Sequence, residues 1–170
     1  MIRIVVINVK GGCGKSTIST NLASLYASRG FQTALYDYDE QSSSMRWLEA
    51  RPPTVPSIYG VTAHPHAARG VTRSWHMRVP PDVSRLIVDT PPGLKGPALA
   101  QLRDTQNYNR VSRAGLGIHE INHQAVDADK KHWQAIFSWI ETNAKNKRIL
   151  QSIRQQGMAL QAERDLRNVS

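Results

Sequence analysis

The chain has 170 residues, 40% of them hydrophobic, and carries 22 lysines and arginines against 13 acidic residues, a formal net charge of +9. That length fits one domain with a real core, and the charge points to an anionic partner, with nucleic acid the first candidate and a merely soluble basic surface the alternative. A single cysteine, Cys13, excludes an intramolecular disulfide framework and any multi-cysteine metal site. No run is long and apolar enough to span a membrane, and Met1-Ile2-Arg3 opens a strand rather than a signal peptide, so a bacterial cytoplasm is the expected setting.

In chain order, Ile2 to Asn8 is nearly all apolar and β-branched, which predicts a parallel strand buried on both faces. It leads into Val9-Lys10-Gly11-Gly12-Cys13-Gly14-Lys15-Ser16-Thr17. A helical pattern then runs from Lys15 to Ala27, with Ile18, Leu22, Leu25 and Tyr26 at helical spacing and Gly30 as a stop. Strand, glycine loop and helix form a phosphate-binding layout. Glycines let successive backbone N–H groups curl round an anion, and the helix points its positive end at the same place. The plain G-x-x-x-x-G-K-[ST] template fails at Val9, and Lys10 is an additional lysine at the entry to the loop.

Thr33 to Asp37 predicts the next strand, which completes a βαβ unit and hence a parallel sheet. It ends in Asp37-Tyr38-Asp39-Glu40-Gln41-Ser42. Two carboxylates at a strand end either cap a helix or face a ligand at the carboxyl edge of the sheet. Ser43 to Ala50 reads as a short helix that Arg51-Pro52-Pro53-Thr54-Val55-Pro56 breaks, and Ile58 to Ala63 as an edge strand. His64 and His66 lack a third ligand nearby and read as loop residues. Arg69, Arg73, Arg78 and Arg85, interleaved with Trp75 and His76, suit either a nucleic-acid or protein contact or a solvated loop. Arg85-Leu86-Ile87-Val88-Asp89 is a further strand ending in an acid, closed by Thr90-Pro91-Pro92-Gly93.

Lys10 to Thr17 resembles the deviant Walker A loop of the ParA/MinD family of dimerising ATPases, and Asp89-Thr90-Pro91-Pro92-Gly93 resembles that family's Walker B segment. The resemblance implies an α/β fold, a P-loop NTPase-like parallel sheet with flanking helices, and ATP and Mg²⁺ as cofactors. It implies that Gly11, Gly12, Cys13, Gly14, Lys15, Ser16 and Thr17 hold the nucleotide, and that Lys10 reaches across a nucleotide-sandwich dimer to the partner's phosphates. By the same resemblance Ser16, Asp37 and Asp89 lie on the metal side, Asp39 positions the attacking water, and the backbone of Gly93 senses the γ-phosphate. The family's stretch after the second strand is Asp-x-Asp-Pro-Gln; Glu40 replaces its proline, so the turn is less rigid here. The implied activity is ATP hydrolysis by a homodimer that forms on ATP and binds DNA non-specifically. It would be cytoplasmic and nucleoid-associated, with a ParB-like or cargo-adaptor partner stimulating hydrolysis and a plasmid, chromosome or protein organelle such as a carboxysome as cargo. One rival is a hydrolysis-deficient nucleotide-binding adaptor. A small-molecule kinase or ligase needs a pocket from later strands, and no Asn-Lys-x-Asp or Thr-Lys-x-Asp motif marks a GTPase.

The resemblance is strong from Ile2 to Ala100 and weaker from Leu102 to Ile140. The family's further strand–helix units, which complete its sheet and adenine pocket, have no counterpart: no apolar strand run follows Gly93. Leu102 to Tyr108 and Ala114 to Ile118 resemble a segment near the family's C-terminal end. Asp127 to about Asn143 is helical in pattern, with Trp133, Ile136, Phe137 and Ile140 on one face. Lys130, Lys131, Lys145, Lys147, Arg148 and Arg154 either follow DNA phosphates or form a solvated face. Gln155 to Ser170 has few large apolar residues, so no membrane tail is expected. The expected organisation is one domain, with a phosphate-binding half over 1–100 and a mainly helical part over 101–170. Its shortened sheet leaves a strand border that C-terminal helices or a second subunit must cover.

Overall fold

A computed structural model of the chain describes residues 1–8, 12–64, 79–93 and 106–167. Its elements are β1 (Ile2–Val6), α1 (Lys15–Ser28), β2 (Thr33–Asp37), α2 (Ser43–Glu49), β3 (Tyr59–Thr62), β4 (Arg85–Asp89), α3 (Gln106–Arg113) and α4 (Asp127–Arg167). Short 3₁₀ turns stand at Ile118–Glu120 and Gln124–Val126. The four described strands form one parallel sheet in the order β1-β4-β2-β3. This is the α/β class read from the sequence: a short P-loop NTPase-like sheet, flanking helices and a helical C-terminus.

The strand sequences explain where each strand sits. All five residues of β2 are buried, as are four of the five in β4, so these two apolar strands form the centre. On one face Ala34, Tyr36 and Leu86 pack with Val61, Ala63 and Val83. Leu35 and Ile87 alternate with them, are fully buried, and point to the opposite face, where α1 lies across β2 and β4. Strand β1 differs from the expectation of burial on both faces. Arg3 and Val5 are exposed, Val5 at 52%, Ile2 and Ile4 are half-buried, and only Val6 is buried. The reason is position: among the described strands β1 pairs only with β4, so it borders the sheet.

Arg85, read from sequence as part of a basic region, is buried instead. Its guanidinium lies 4.0 Å from the Phe31 ring centroid and 5.3 Å from that of Tyr26. Arg69, Arg73, Arg78, Trp75 and His76 lie outside the described residues.

Residues 114–120 are fastened to the sheet layer by contacts far apart in sequence. Gly117 lies so close to α1 that a Cβ there would fall 1.6 Å from Ser24 Oγ. Its neighbour Ile118 donates its N–H to Asn21 Oδ1 at 2.8 Å. Arg51, just past α2, forms a two-pronged ion pair with Glu120, the side chains being only 5% and 4% exposed. Arg51 also donates to the carbonyls of Pro56 and Gly115 and stacks on Trp47 at 5.2 Å. Glu120 accepts the Gly117 N–H at 2.8 Å. Every prong of the fork is used, the condition under which a buried ion pair holds rather than strains a fold.

The chain divides into two compact units, 1–130 and 131–170. The second consists of the continuation of α4, which runs on to Arg167. Within it Trp133 is buried and Ile136, Phe137 and Ile140 are half-buried, while Lys145, Lys147, Arg148, Ile149 and Leu150 are exposed. No described helix is long and apolar enough to cross a membrane.

Replacing Glu120 by Ala strands the Arg51 guanidinium in a dry site and is expected to cost about 3–5 kcal/mol. Urea unfolding of Glu120→Ala, Arg51→Ala and the double variant checks this, with the double variant expected to lose far less than the sum of the two.

Candidate functional site

The cleft that collects the chemistry lies at the carboxyl edge of the sheet, where β1 hands over to α1. It measures about 300 Å³ and is lined by Gly12 to Thr17, Thr20, Asp39, Gln41, Ser43, Trp47 and Ser112. Gly12 and Gly14 have φ of +67° and +82°, a backbone that side chains with a Cβ rarely adopt, and nothing lies within 4 Å of where either Cβ would be. Helix α1 begins at Lys15 with Gly14 as its cap, no capping side chain and no acidic residue in its first turn. Its leading N–H groups and positive end therefore face the cleft without a built-in anion.

Lys15 is buried at 7% exposure, its Nζ 4.0 Å from Cys13 Sγ. Ser16 and Thr17 are half-buried on the cleft wall. Their carbonyls accept the Thr20 hydroxyl (2.8 Å from Ser16 O), and Thr17 O also accepts the Asn21 amide at 2.8 Å, which stiffens the first turn. Lys10 and Gly11, expected to charge and line the same cradle, lie outside the described residues.

Opposite the loop stands the turn after β2. Asp39 lines the cleft, and its Oδ1 accepts the Gln41 N–H at 3.0 Å. The turn closes with Ser42 at φ +50°, the one described non-glycine residue in the left-handed region, a position that costs about 1 kcal/mol. Asp37 lies deeper, fully buried, and its two oxygens hold three backbone N–H groups: Asp39 at 3.0 Å, Ser44 at 3.1 Å and Met45 at 3.2 Å. It therefore starts α2 as a capping acid from seven residues away. In strand register Asp37 stands beside Asp89, which is also fully buried. Asp89 Oδ2 accepts the Ser44 hydroxyl at 2.6 Å, whereas Oδ1 is buried with no hydrogen-bond partner among the described residues.

A carboxyl buried in a dry place beside a second acid holds its proton more tightly. Burial first, and then the Asp89 charge, push the Asp37 carboxyl above its ordinary 3.8, against the lowering pull of its three N–H donors. The orphaned Asp89 oxygen and the Ser16 hydroxyl are hard oxygen donors of the kind magnesium takes, so the residues fit a Mg²⁺ ion. Among the described residues no group of three or more His, Cys, Asp and Glu side chains could hold a metal by itself.

The structure thus brings Gly12, Cys13, Gly14, Lys15, Ser16, Thr17 and Asp39 to one cleft, and places Asp37 and Asp89 as a buried pair at the ends of β2 and β4. Sequence reasoning missed Ser44 and Ser112. It read Trp47 only as a helix residue; its indole N–H donates to Leu116 O at 3.1 Å, across 69 positions. The triple serine at the head of α2 was the one local signal for Ser44.

Comparison with known proteins agrees with this geometry. The family model described as the CobQ/CobB/MinD/ParA nucleotide binding domain matches residues 4–166. A protein of Halothiobacillus neapolitanus named Maintenance of carboxysome distribution protein A is 32% identical over 103 residues, 58% of this chain and 44% of that protein. A protein of the same name from Gloeobacter kilaueensis is 32% identical over 97 residues, 57% of this chain and 42% of that protein. The matched region therefore spans less than half the length of these relatives.

Asp37→Ala leaves three buried N–H groups without an acceptor and is expected to cost about 2–3 kcal/mol in chemical unfolding. Because the folded chain keeps the Asp37 proton to a higher pH than the unfolded chain, stability falls as pH rises from the ordinary carboxylate value through the raised one. Asp37→Asn is expected to remove that slope from a pH series of unfolding curves.

Proposed function

As a member of the CobQ/CobB/MinD/ParA nucleotide-binding family, whose model spans residues 4–166, this chain is one that we propose binds ATP with magnesium in the cleft at the start of α1 and hydrolyses it as an ATP-dependent homodimer. The observation that carries the reading is the composition of that cleft. A glycine cradle and an uncapped helix start face Asp39, with an unsatisfied Asp89 oxygen buried at the end of the neighbouring strand.

The roles follow from charge and position. The N–H groups of Gly11 to Thr17 take the phosphate oxygens, and Lys15 adds a full positive charge that burial strengthens. Lys10 supplies the second lysine, toward a partner subunit's phosphates. Ser16 and Asp89 hold the magnesium side, and Asp37, its oxygens engaged by N–H groups, contributes negative charge and the start of α2. Magnesium, when bound, neutralises charge on the outer phosphate oxygens. Asp39, with one oxygen on Gln41, orients water with the other.

The net charge of +9 and exposed Lys145, Lys147 and Arg148 on α4 support non-specific contact with DNA phosphates. Likeness to proteins named for carboxysome distribution supports a positioning role. The cargo would be a protein organelle, plasmid or chromosome, and a ParB-like or adaptor protein would stimulate hydrolysis at the nucleoid in the cytoplasm.

A second reading, a nucleotide-binding adaptor that hydrolyses nothing, draws on Glu40 in place of a turn-fixing proline and on the short match to the relatives. Single-turnover phosphate release separates the two. Release that falls by about 100-fold or more in Lys15→Ala is expected of an enzyme, and no release from a chain saturated with ATP marks an adaptor. A sizing run with a slowly hydrolysed ATP analogue is expected to give a dimer that Lys10→Ala abolishes. A dimer indifferent to nucleotide contradicts the sandwich.

A further inference from the structure

Ser44 is hydrogen-bonded to both acids of the buried pair. It is itself fully buried. Its N–H donates to Asp37 Oδ2 at 3.1 Å and its hydroxyl to Asp89 Oδ2 at 2.6 Å, the short length of a charge-assisted O–H···O bond. In this bond the serine hydroxyl donates and the carboxylate oxygen accepts. The bond fixes which Asp89 oxygen is used up. Oδ2 is committed to the serine, and Oδ1, buried and without a partner, is the one left over.

Ser44 also sits in the first turn of α2, whose Ser43 and Trp47 line the cleft and whose preceding turn carries Asp39. We propose that Ser44 is a positioning residue for the metal side of the site. Its hydroxyl holds the Asp89 carboxylate so that Oδ1 is the oxygen left for the cation, and its amide ties Asp37 to the start of α2. The inference rests on the reading of the cleft as a magnesium–nucleotide site. It adds a residue from outside the glycine loop and the two strand ends. A serine that were only a bolt between α2 and β4 would matter for stability and for nothing else, and the test separates these roles.

The full chain is titrated with a fluorescent ATP analogue at a series of free magnesium concentrations, for wild type, Ser44→Ala and Ser44→Thr, with thermal unfolding measured without nucleotide. Ser44→Ala is expected to need about tenfold more magnesium for half-maximal binding, the scale of one lost hydrogen bond to a charged group. Its affinity for the metal-free nucleotide is expected to stay unchanged. Ser44→Thr restores the hydroxyl and is expected to return the magnesium midpoint to within about threefold of wild type. Should Ser44→Ala not fold, Ser44→Cys, of similar size and only a weak donor, is read the same way. An unchanged magnesium midpoint in the folded variant, whatever its melting temperature, overturns the role of Ser44 and leaves nucleotide binding standing. Absence of binding by the wild-type chain at every magnesium concentration overturns the nucleotide reading, and this inference with it.

Discussion

Two carboxylates buried side by side, Asp37 at the end of β2 and Asp89 at the end of β4, set the terms for the rest of the molecule. Both are fully buried and in direct register. Charges in such a place persist only when hydrogen-bonded or paired. The fold answers Asp37 with three backbone N–H groups, which makes it the origin of α2. It answers half of Asp89 with the Ser44 hydroxyl. The other oxygen, Oδ1, is buried with no hydrogen-bond partner among the described residues. That imbalance, acid on one side and unneutralised N–H groups on the other, is what a magnesium–triphosphate complex would complete.

Among the described strands the sheet ends at the strand that leads into the glycine loop. The described strands all fall on one side of β1, and Val5 on that strand is exposed. In a parallel α/β sheet the strand leading into the phosphate loop is ordinarily flanked and covered. The 114–120 segment, held by Arg51–Glu120 and by the close seat of Gly117 on Ser24, closes the layer around α1 and α2 instead.

What the sequence made legible was local. β1, the glycine loop, α1, β2 and β4 could be read from apolar runs, Gly14, Gly30 and the Pro91-Pro92-Gly93 stop, because each is decided within a dozen residues. The two strand-end acids were visible too, with helix capping and ligand binding both open for Asp37, and the three N–H groups it accepts show the cap. What stayed hidden depends on pairing across the chain. Ser44 meets Asp89 over 45 positions and Arg51 meets Glu120 over 69, and no periodicity encodes either. Arg85 looked like surface charge, since nothing near it in sequence revealed that Phe31 and Tyr26 would wrap its guanidinium. The border position of β1 was missed for the same reason: an apolar run reports the wish to be buried, and strand order decides whether it is.

The most direct check is calorimetric titration of the folded chain with Mg-ATP, with Lys15→Ala as the control. One nucleotide bound per chain by the wild type, with binding lost in the variant, is the expected result. A well-folded wild-type chain that gives no heat of binding with Mg-ATP would contradict the account, because the open Asp89 oxygen and the glycine cradle would then face nothing that needs them.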